Sequence, residues 1–471
     1  MGVDMRTDNE TQVQTIRLGA GAGFAGDRID PAVELAEHAD LDYLIFECLG
    51  ERTVAAGQLR RRQDPDTGYD PLLLARIDAV IDHTLAAGTT VITNAGSANP
   101  LAAADAVATM LRQRGVARPV RIAAVTGDDV GATIRVVDPD VWETGKPVSR
   151  YASELLSANA YIGADALIPA LEQNADIVIA GRVADPSLYL APMIHEFGWS
   201  REDYPLLGKG TCIGHLLECA GQLTGGYFAD PGPKDVPGLA TLGFPYVDVE
   251  FDGSAVVGKL ERSGGLLDVR TCREQLLYEV HDPRRYITPD VTADFSRVEF
   301  TEIGPGRVQV SGASGAEKPD ALKVSLGFRG GFTGEGQISY AGPRAEERAR
   351  LGGEIVVERL EMLHDVPAHL LTTELIGTGS AFRGAPGARG PLAEREASVS
   401  LIPEVRLRVS GVVDSKEKAD AIRWEVETLY TNGPAAGGGA RGSVSEVVAI
   451  RAASLSRSDV LTDIHIKEVT A

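Results

Sequence analysis

The 471-residue chain is poor in cysteine and in basic residues, and each shortage excludes a class of protein. It has only four cysteines, and no two of them have C-x-x-C spacing, so neither a disulfide framework nor a cysteine zinc cluster is expected. Lysine and arginine total 46 against 67 aspartate and glutamate residues, which leaves a formal net charge of −21. This excess of negative charge argues against nucleic acid or an anionic membrane as a partner.

Long apolar segments are also missing. The first residues are polar, and no run of about 18 apolar residues occurs, so neither a hydrophobic leader nor a membrane span is predicted. A reduced, cytoplasmic protein is therefore expected. The hydrophobic fraction of 44% is ordinary for a globular protein, and the length suggests two or three domains.

Short apolar strands alternate with helical segments in the first half of the chain. The strands are predicted at 15–20, 43–46, 90–93, 120–125 and 177–180. This alternation predicts an α/β domain over 1–235 with a doubly wound, mostly parallel sheet. Ligands of such sheets bind beyond the carboxyl ends of the strands. The predicted substrate-binding residues at these ends are Glu47, Asn94, Ser97, Arg182 and Asp185.

The second half, 236–471, has a different pattern. Alternating β-rich segments are followed by helices predicted at 345–364 and 416–430, with strands at 397–409 and 444–450 around them. An α+β domain is predicted, with its boundary near 231–237. Two glycine-rich segments, 377–390 with Arg383 and Arg389 and 431–443 with Arg441, are interpreted as mobile loops rather than anion sites.

One glycine pattern near the N-terminus resembles a dinucleotide fingerprint. Gly21-x-Gly23-x-x-Gly26 follows a strand, and Glu47 ends the next strand about 20 residues later. The helix, however, is predicted to begin only at Asp30-Pro31, about four residues late for a pyrophosphate cradle. NAD is therefore not favoured as a cofactor.

The stretch from Gly208 to Lys234 holds the densest set of chemically active side chains. A helix predicted over Thr211–Leu223 places His215 and Glu218 on one face, and the chain then breaks at Gly225-Gly226. The predicted catalytic residues are His215, Glu218, Tyr227 and Asp230. Backbone amides at Gly225 and Gly226, or Asn94, are candidates for holding an oxyanion, and Lys234 or Arg182 for holding a carboxylate or phosphate. Spacing alone also admits a core helix with a structural turn, and a divalent metal is not favoured.

Several motifs together resemble the acyclic terpene utilisation AtuA-like family. They are GRVADPSLYLAP, GHLLECAGQLTGGYFADPGPKDVP, GGLLDVRTCREQLLYEVHDP and YITPDV, with LGAGAGFAGDR and TNAGSANP nearer the start. The resemblance covers about residues 16–450. It implies a connection with the breakdown of citronellol and geraniol through acyl-CoA intermediates, and it brings no catalytic residue with it.

The resemblance also bears on partners. Many family members carry a C-terminal ferredoxin-like domain or are encoded beside a small protein of that type. This chain is expected to lack that domain, which implies a separate ferredoxin-like partner. A homo-oligomer is also expected.

Three functions follow from these observations. The first is hydratase, dehydratase or lyase chemistry on a branched or hydroxylated acyl substrate, with CoA as a candidate part of that substrate. The second is acyl or CoA transfer with Glu47, Glu218 or a cysteine as nucleophile, Cys212 being placed at a helix start that would lower its pKa. The third is a non-catalytic acyl-binding subunit whose partner does the chemistry.

Overall fold

The computed structural model describes residues 15–382 and 404–470. The chain divides into two units: the first takes the described residues within Met1–Gly327 and Ile450–Ala471, and the second those within Phe328–Ala449. Arg383, Arg389 and the first part of the strand predicted at 397–409 lie outside the described residues. No helix in the described part of the chain is long and apolar enough to cross a membrane.

The first unit is built on a ten-stranded sheet whose central strands are parallel. Its elements up to residue 217 are β1 (Thr15–Ala22), α1 (Asp30–His38), β2 (Tyr43–Phe46), α2 (Glu51–Gln63), α3 (Leu73–Ala87), β3 (Thr90–Thr93), α4 (Pro100–Arg114), β4 (Val120–Thr126), α5 (Gly131–Val137), β5 (Asp140–Val141), β6 (Lys146–Pro147), β7 (Leu155–Ala160), α6 (Ile168–Glu172), β8 (Ile177–Ala180), α7 (Ser187–Phe197) and α8 (Tyr204–Leu217). Strands β1, β2, β3, β8 and β4 are neighbours in that order, and each neighbouring pair is parallel. The predicted α/β class with a mostly parallel N-terminal sheet is confirmed.

The strands that follow residue 235 extend the same sheet with antiparallel pairs. The further elements are β9 (Pro245–Glu250), β10 (Ala255–Lys259), α9 (Val269–Leu277), β11 (Tyr286–Ile287), β12 (Thr292–Asp294), β13 (Glu299–Gly304), β14 (Arg307–Ser311) and β15 (Ser314–Ala316). Strand β9 pairs with β1, and β10, β14 and β13 follow in order toward one edge. At the other edge β20 (Asp463–Val469) pairs with β4. Strands from both sides of residue 235 thus belong to one sheet.

The central strands set the position of the candidate site. Strands β2 and β8 are four-residue apolar segments that are buried along their whole length, as expected for parallel strands covered on both faces. Each ends abruptly where polar residues follow, at Glu47 and at Arg182. The parallel arrangement brings these strand ends to the same edge of the sheet.

Two helices in this unit differ from the sequence-based expectation. Helix α8 begins at Tyr204 and ends at Leu217, seven residues earlier at its start than predicted. The Asp203 side chain caps it by accepting from the Leu206 amide, and a proline lies in the first turn. Helix α2 has no counterpart among the predicted helices. Gly57, near the middle of this helix, packs close to the Gly68 carbonyl. Because glycine has a low helix propensity, the sequence gives only a weak helical signal there.

The second unit combines two helices with an antiparallel sheet. It contains the later part of β16 (Ala321–Ala341), then α10 (Ala345–His364), β17 (Leu371–Ile376), β18 (Glu404–Val413), α11 (Lys416–Asn432) and the first part of β19 (Gly437–Ser456). The strands lie in the order β17-β18-β16-β19, and β18 is antiparallel to both of its neighbours. This β-α-β-β-α-β succession has ferredoxin-like topology.

The core of the second unit lies between this sheet and its helices. Buried side chains from the strands, Ile338 and Leu407 among them, meet Val356 of α10 and Val426 of α11. All four cysteines of the chain lie outside this unit. The ferredoxin-like topology is therefore present without the thiolates that hold an iron–sulfur cluster.

Candidate functional site

The candidate site lies in the first unit, where residues after β2, β3 and β8 meet α8. Glu47 follows β2, Asn94 follows β3 and Arg182 follows β8, and all three side chains are buried. Buried polar side chains are expected to be hydrogen-bonded, and their partners define the geometry of the site.

Glu47 and Asn94 form a linked pair. The Asn94 side chain donates from Nδ2 to Glu47 Oε1 over 3.0 Å and accepts from the Cys48 amide over 2.7 Å. The Leu49 amide donates to the same Glu47 oxygen over 2.8 Å. These contacts fix the Glu47 carboxyl group at the strand end, as the sequence predicted for its position.

Arg182 is held by several groups at once. Its guanidinium donates to the Leu49 carbonyl, to Asp185 Oδ1 over 3.0 Å and to the Tyr161 hydroxyl over 2.6 Å. Its central carbon lies 4.0 Å from the centroid of the Tyr161 ring, which adds a cation–π contact. Arg182 thus pairs with Asp185 across the loop after β8, and the guanidinium is rigidly oriented by these partners.

Tyr161 connects Arg182 to a further carboxylate, Glu51. The Tyr161 hydroxyl donates to Glu51 Oε1, and the Lys323 ammonium donates to the same oxygen over 3.1 Å. None of these three residues was identified from the sequence. Glu51 lies in the unpredicted helix α2, and Tyr161 and Lys323 are brought together by a backbone bond from the Tyr161 amide to the Lys323 carbonyl. Of the three, only Glu51 lies close in sequence to a predicted site residue, four residues after Glu47.

His215 and Glu218 form the second half of the site. His215 Nδ1 lies 2.7 Å from Glu218 Oε1, and His215 Nε2 lies 3.2 Å from the Leu276 carbonyl. The imidazole is stacked on Phe295 with ring centroids 5.6 Å apart. Glu218 Oε2, in contrast, is buried and has no hydrogen-bond partner among the described residues. His215 and Glu218, which were predicted to share one helix face, are in contact, although Glu218 caps α8 rather than lying within it, and both imidazole nitrogens are engaged.

Burial raises the pKa values of three carboxyl groups of the site, Glu47, Asp185 and Glu218. It raises the pKa of Glu47 to about 8, with the charge of Asp185 adding to the effect. It likewise raises the pKa of Glu218 to about 7 against the opposing effect of His215, and Asp185 contributes there too. The pKa of Asp185 is raised by burial despite the charge of Arg182. Asp185 therefore lies close enough to Glu47 and to Glu218 to raise the pKa of each.

The pKa values of two neighbouring groups, Glu51 and His215, are set by competing causes. Burial acts to raise the pKa of Glu51, but the charge of Arg182 and the Tyr161 hydrogen bond bring it down to about 2. Burial acts to lower the pKa of His215, but the charge and hydrogen bond of Glu218 raise it above its usual range. Near neutral pH the site therefore combines an ionised Glu51 with carboxyl groups that hold or exchange a proton.

The glycine-rich elbow after α8 lies beside this cluster. Tyr227 is 84% exposed, has a left-handed backbone with φ of 62°, and packs edge-on against Tyr278. The Gly225 and Gly226 amides donate to the carbonyls of Gln222 and Gly221, so both are used within the turn. These groups are not brought into hydrogen-bond contact with the Glu47 or Glu218 carboxyl groups.

Three other predicted residues lie apart from this cluster. Asp230 and Lys234 exchange backbone hydrogen bonds with each other, and the Lys234 ammonium pairs with Glu274. Ser97 is buried with φ of 51°, and its hydroxyl has no partner among the described residues. The structure does not join Asp230, Lys234 or Ser97 to the carboxyl cluster.

The N-terminal glycine pattern has a packing role. A Cβ at Gly23 would lie 2.5 Å from the carbonyl carbon of Cys219, and one at Gly21 would lie 2.8 Å from the Phe46 ring. The Gly23 amide donates to Asp27 over 2.9 Å. Packing on the Phe46 ring accounts for Gly21, and the close approach of this loop to the Cys219 backbone, just after α8, accounts for Gly23.

The cysteines do not have the properties of an activated nucleophile. Cys212 lies within α8 rather than at a helix start, which corrects the sequence-based placement, and burial raises its thiol pKa to about 12. Cys219 follows the helix, and burial, together with the charge of Glu218, raises its pKa as well. Thiolates are the nucleophilic form, so neither thiol is activated at neutral pH. Within the described residues, no three histidine, cysteine or carboxylate side chains are grouped to hold a metal ion.

Comparison with known protein families gives a match over nearly the whole chain. The model of the family described as "Acyclic terpene utilisation family protein AtuA" matches residues 16–466. No match was found among the curated proteins or the solved structures.

Proposed function

Because this chain belongs to the acyclic terpene utilisation AtuA family, we propose that it is an enzyme acting on a branched or hydroxylated acyl substrate by acid–base chemistry. The family description connects it with the use of acyclic terpenes, which are branched hydrocarbon compounds. The reaction class we propose is hydration and dehydration, or a related lyase step.

One observation carries this proposal. Two buried carboxyl groups, Glu47 and Glu218, have pKa values raised to about 8 and about 7, and the charge of Asp185, which pairs with the Arg182 guanidinium, acts on both. Groups with pKa values near the working pH are the most effective general acids and bases. Strongly shifted carboxyl groups that share a charged neighbour, here Asp185, favour a catalytic site over a structural one.

The proposed roles follow from the hydrogen bonds. Glu218, whose Oε2 has no partner, acts as the base for the α-proton, and His215 orients it through Oε1. Glu47, protonated at neutral pH, acts as the acid for the departing hydroxyl group. Arg182 supplies positive charge for the carbonyl or carboxylate oxygen that gains negative charge in the enolate.

The dehydration step then balances in protons and electrons. Glu218 takes the α-proton, and the electron pair of the C–H bond forms the new double bond. The C–O bond breaks, and its electron pair leaves with the hydroxyl group. Glu47 gives its proton to the hydroxyl group, which leaves as water. The product is an α,β-unsaturated acyl group, and the reverse sequence is hydration.

The test uses branched 3-hydroxyacyl compounds, as free acids and as CoA thioesters, in deuterium oxide. We expect deuterium at the α-carbon, and we expect Glu218→Gln to slow the exchange by about 10²–10⁴-fold, the usual contribution of a general base. The exposed Glu250, at the end of β9, provides the matched control Glu250→Gln.

Other outcomes would favour the other functions. A covalent acyl group on Glu47 or Glu218 without α-exchange would indicate acyl or CoA transfer. Binding without turnover, restored by a small ferredoxin-like protein, would indicate a non-catalytic subunit with a partner.

A further inference from the structure

Lys323 is a cation at the solvent-facing side of the candidate site that the sequence did not identify. It lies in β16, and its side chain is 42% exposed. Its ammonium donates to Glu51 over 3.1 Å and lies 4.8 Å from the centroid of the Tyr161 ring. The neighbouring Glu51 side chain is 35% exposed, so this ion pair borders solvent.

The same aromatic ring carries a second cation. The Arg182 guanidinium lies 4.0 Å from the Tyr161 centroid, but its side chain is only 3% exposed. Two cations therefore contact one tyrosine, one of them buried and fixed and the other accessible. The ring faces attract both charges, and the hydroxyl is oriented by Arg182 and Glu51.

The lysine is free to exchange its partner. An ion pair between partly exposed side chains contributes little to stability, because both charges remain solvated. An ammonium has three N–H donors, and one of them is directed at Glu51. A ligand oxygen can thus bind Lys323 without breaking the buried contacts of Arg182.

The charge of the chain makes such a site necessary for an anionic ligand. With a net charge of −21, the protein repels anions at long range, so an anionic substrate needs local positive charge. Lys234, the other lysine considered for this role, pairs with Glu274 of α9 and is not joined to Arg182.

We propose that Lys323, backed by Arg182 across the Tyr161 ring, binds a free carboxylate group of the substrate. The substrate is then a branched hydroxy acid, or an acyl compound that carries a second, free carboxylate. This inference rests on the proposed function for the acyl part of the substrate, and it adds the anionic group and the residue that recognises it.

The experiment measures binding of 3-hydroxy-3-methylbutyrate and of its neutral amide by titration calorimetry. We expect the wild-type protein to bind the acid more tightly than the amide. Lys323→Met should weaken binding of the acid about tenfold, the size expected for one charge-assisted hydrogen bond, and leave binding of the amide unchanged.

The matched control is Lys467→Met. Lys467 is also a partly exposed lysine of the first unit, paired with Asp105 at the far edge of the sheet. The Lys467→Met variant should bind the acid as the wild type does. Thermal unfolding of both variants checks that neither substitution disturbs the fold.

Three results would overturn the inference. They are equal binding of acid and amide by the wild type, no binding of the acid at millimolar concentration, or a loss confined to Lys234→Met. Catalysis is read separately from α-deuterium exchange. Lys323-dependent binding of the acid without exchange would support the carboxylate site and count against the proposed reaction.

Discussion

The protonation of Glu47 gives the first prediction at the scale of single residues. Because burial raises its pKa from 4.5 to about 8, the folded protein retains this proton over a pH range in which the unfolded chain has lost it. The folded state therefore binds more protons between about pH 4.5 and 8, and its stability falls as the pH rises through that range. Glutamine cannot ionise, and it keeps the oxygen that accepts from Asn94 and Leu49.

We therefore expect Glu47→Gln to gain stability relative to the wild type as the pH rises from 5 to 9. One pKa unit corresponds to about 1.4 kcal/mol, so the gain should exceed that amount. Urea unfolding of both proteins at the two pH values measures it, with Glu250→Gln as the control. A difference that stays constant across this pH range would mean that Glu47 is not held protonated in the folded state.

Single residues also show how far a sequence can locate a site. The positions of Glu47, Asn94 and Arg182 were predictable because they come within two residues of the ends of apolar strands, and parallel strands bring their ends together. Tyr161 and Lys323 were not, since their contact depends on a backbone bond between segments 162 residues apart in the chain. Local patterns carry no information on such a pairing.

At the scale of elements, the contact between the N-terminal loop and the end of α8 gives a second prediction. A methyl group at Gly23 would lie 2.5 Å from the Cys219 backbone, which cannot move without shifting Glu218. We expect Gly23→Ala to destabilise the protein by about 1–3 kcal/mol, as overpacking usually does. Chemical denaturation measures this.

The control for Gly23 is Gly304→Ala at the end of β13. Neither glycine has positive φ, and a Cβ at Gly304 would meet no atom within 4 Å. Equal stability changes for the two variants would show that the loop does not pack on α8 as described.

Elements were predicted well where their signal is local. The observed β2, β3 and β8 have the predicted bounds, and α10 matches its predicted range of 345–364. The start of α8 was predicted too late because the prediction rested on the apolar pattern and not on the Asp203 cap and the following proline. Capping depends on one side chain and is easily outweighed by the hydrophobic pattern of a longer segment.

At the scale of the whole molecule, topology depends on pairings that no local pattern reveals. The β-rich segments after residue 235 predict antiparallel strands, yet β9 adds to the parallel sheet through its pairing with β1, more than 200 residues earlier. The ferredoxin-like order of the second unit likewise depends on β18 lying between β16 and β17. Strand order within a sheet is a long-range property, whereas strand existence is a short-range one.

The charge of the whole molecule gives the last prediction, which concerns the rate of substrate association. The net charge of −21 repels an approaching carboxylate, whereas Lys323 and Arg182 attract it only at short range. Raising the ionic strength from about 0.01 M to about 0.15 M shortens the Debye length from about 30 Å to about 8 Å. This change screens the long-range repulsion more than the close contact within the site.

We therefore expect the association rate constant of 3-hydroxy-3-methylbutyrate to rise over this range, measured by stopped-flow displacement of a fluorescent carboxylate. The neutral amide is the control, and its rate should not change. In most electrostatically steered complexes the attraction is long-range, and added salt slows association. A fall in the association rate constant of the acid with rising ionic strength would therefore show that positive charge dominates the approach. That result would place the substrate's path along a locally basic surface rather than across the acidic exterior.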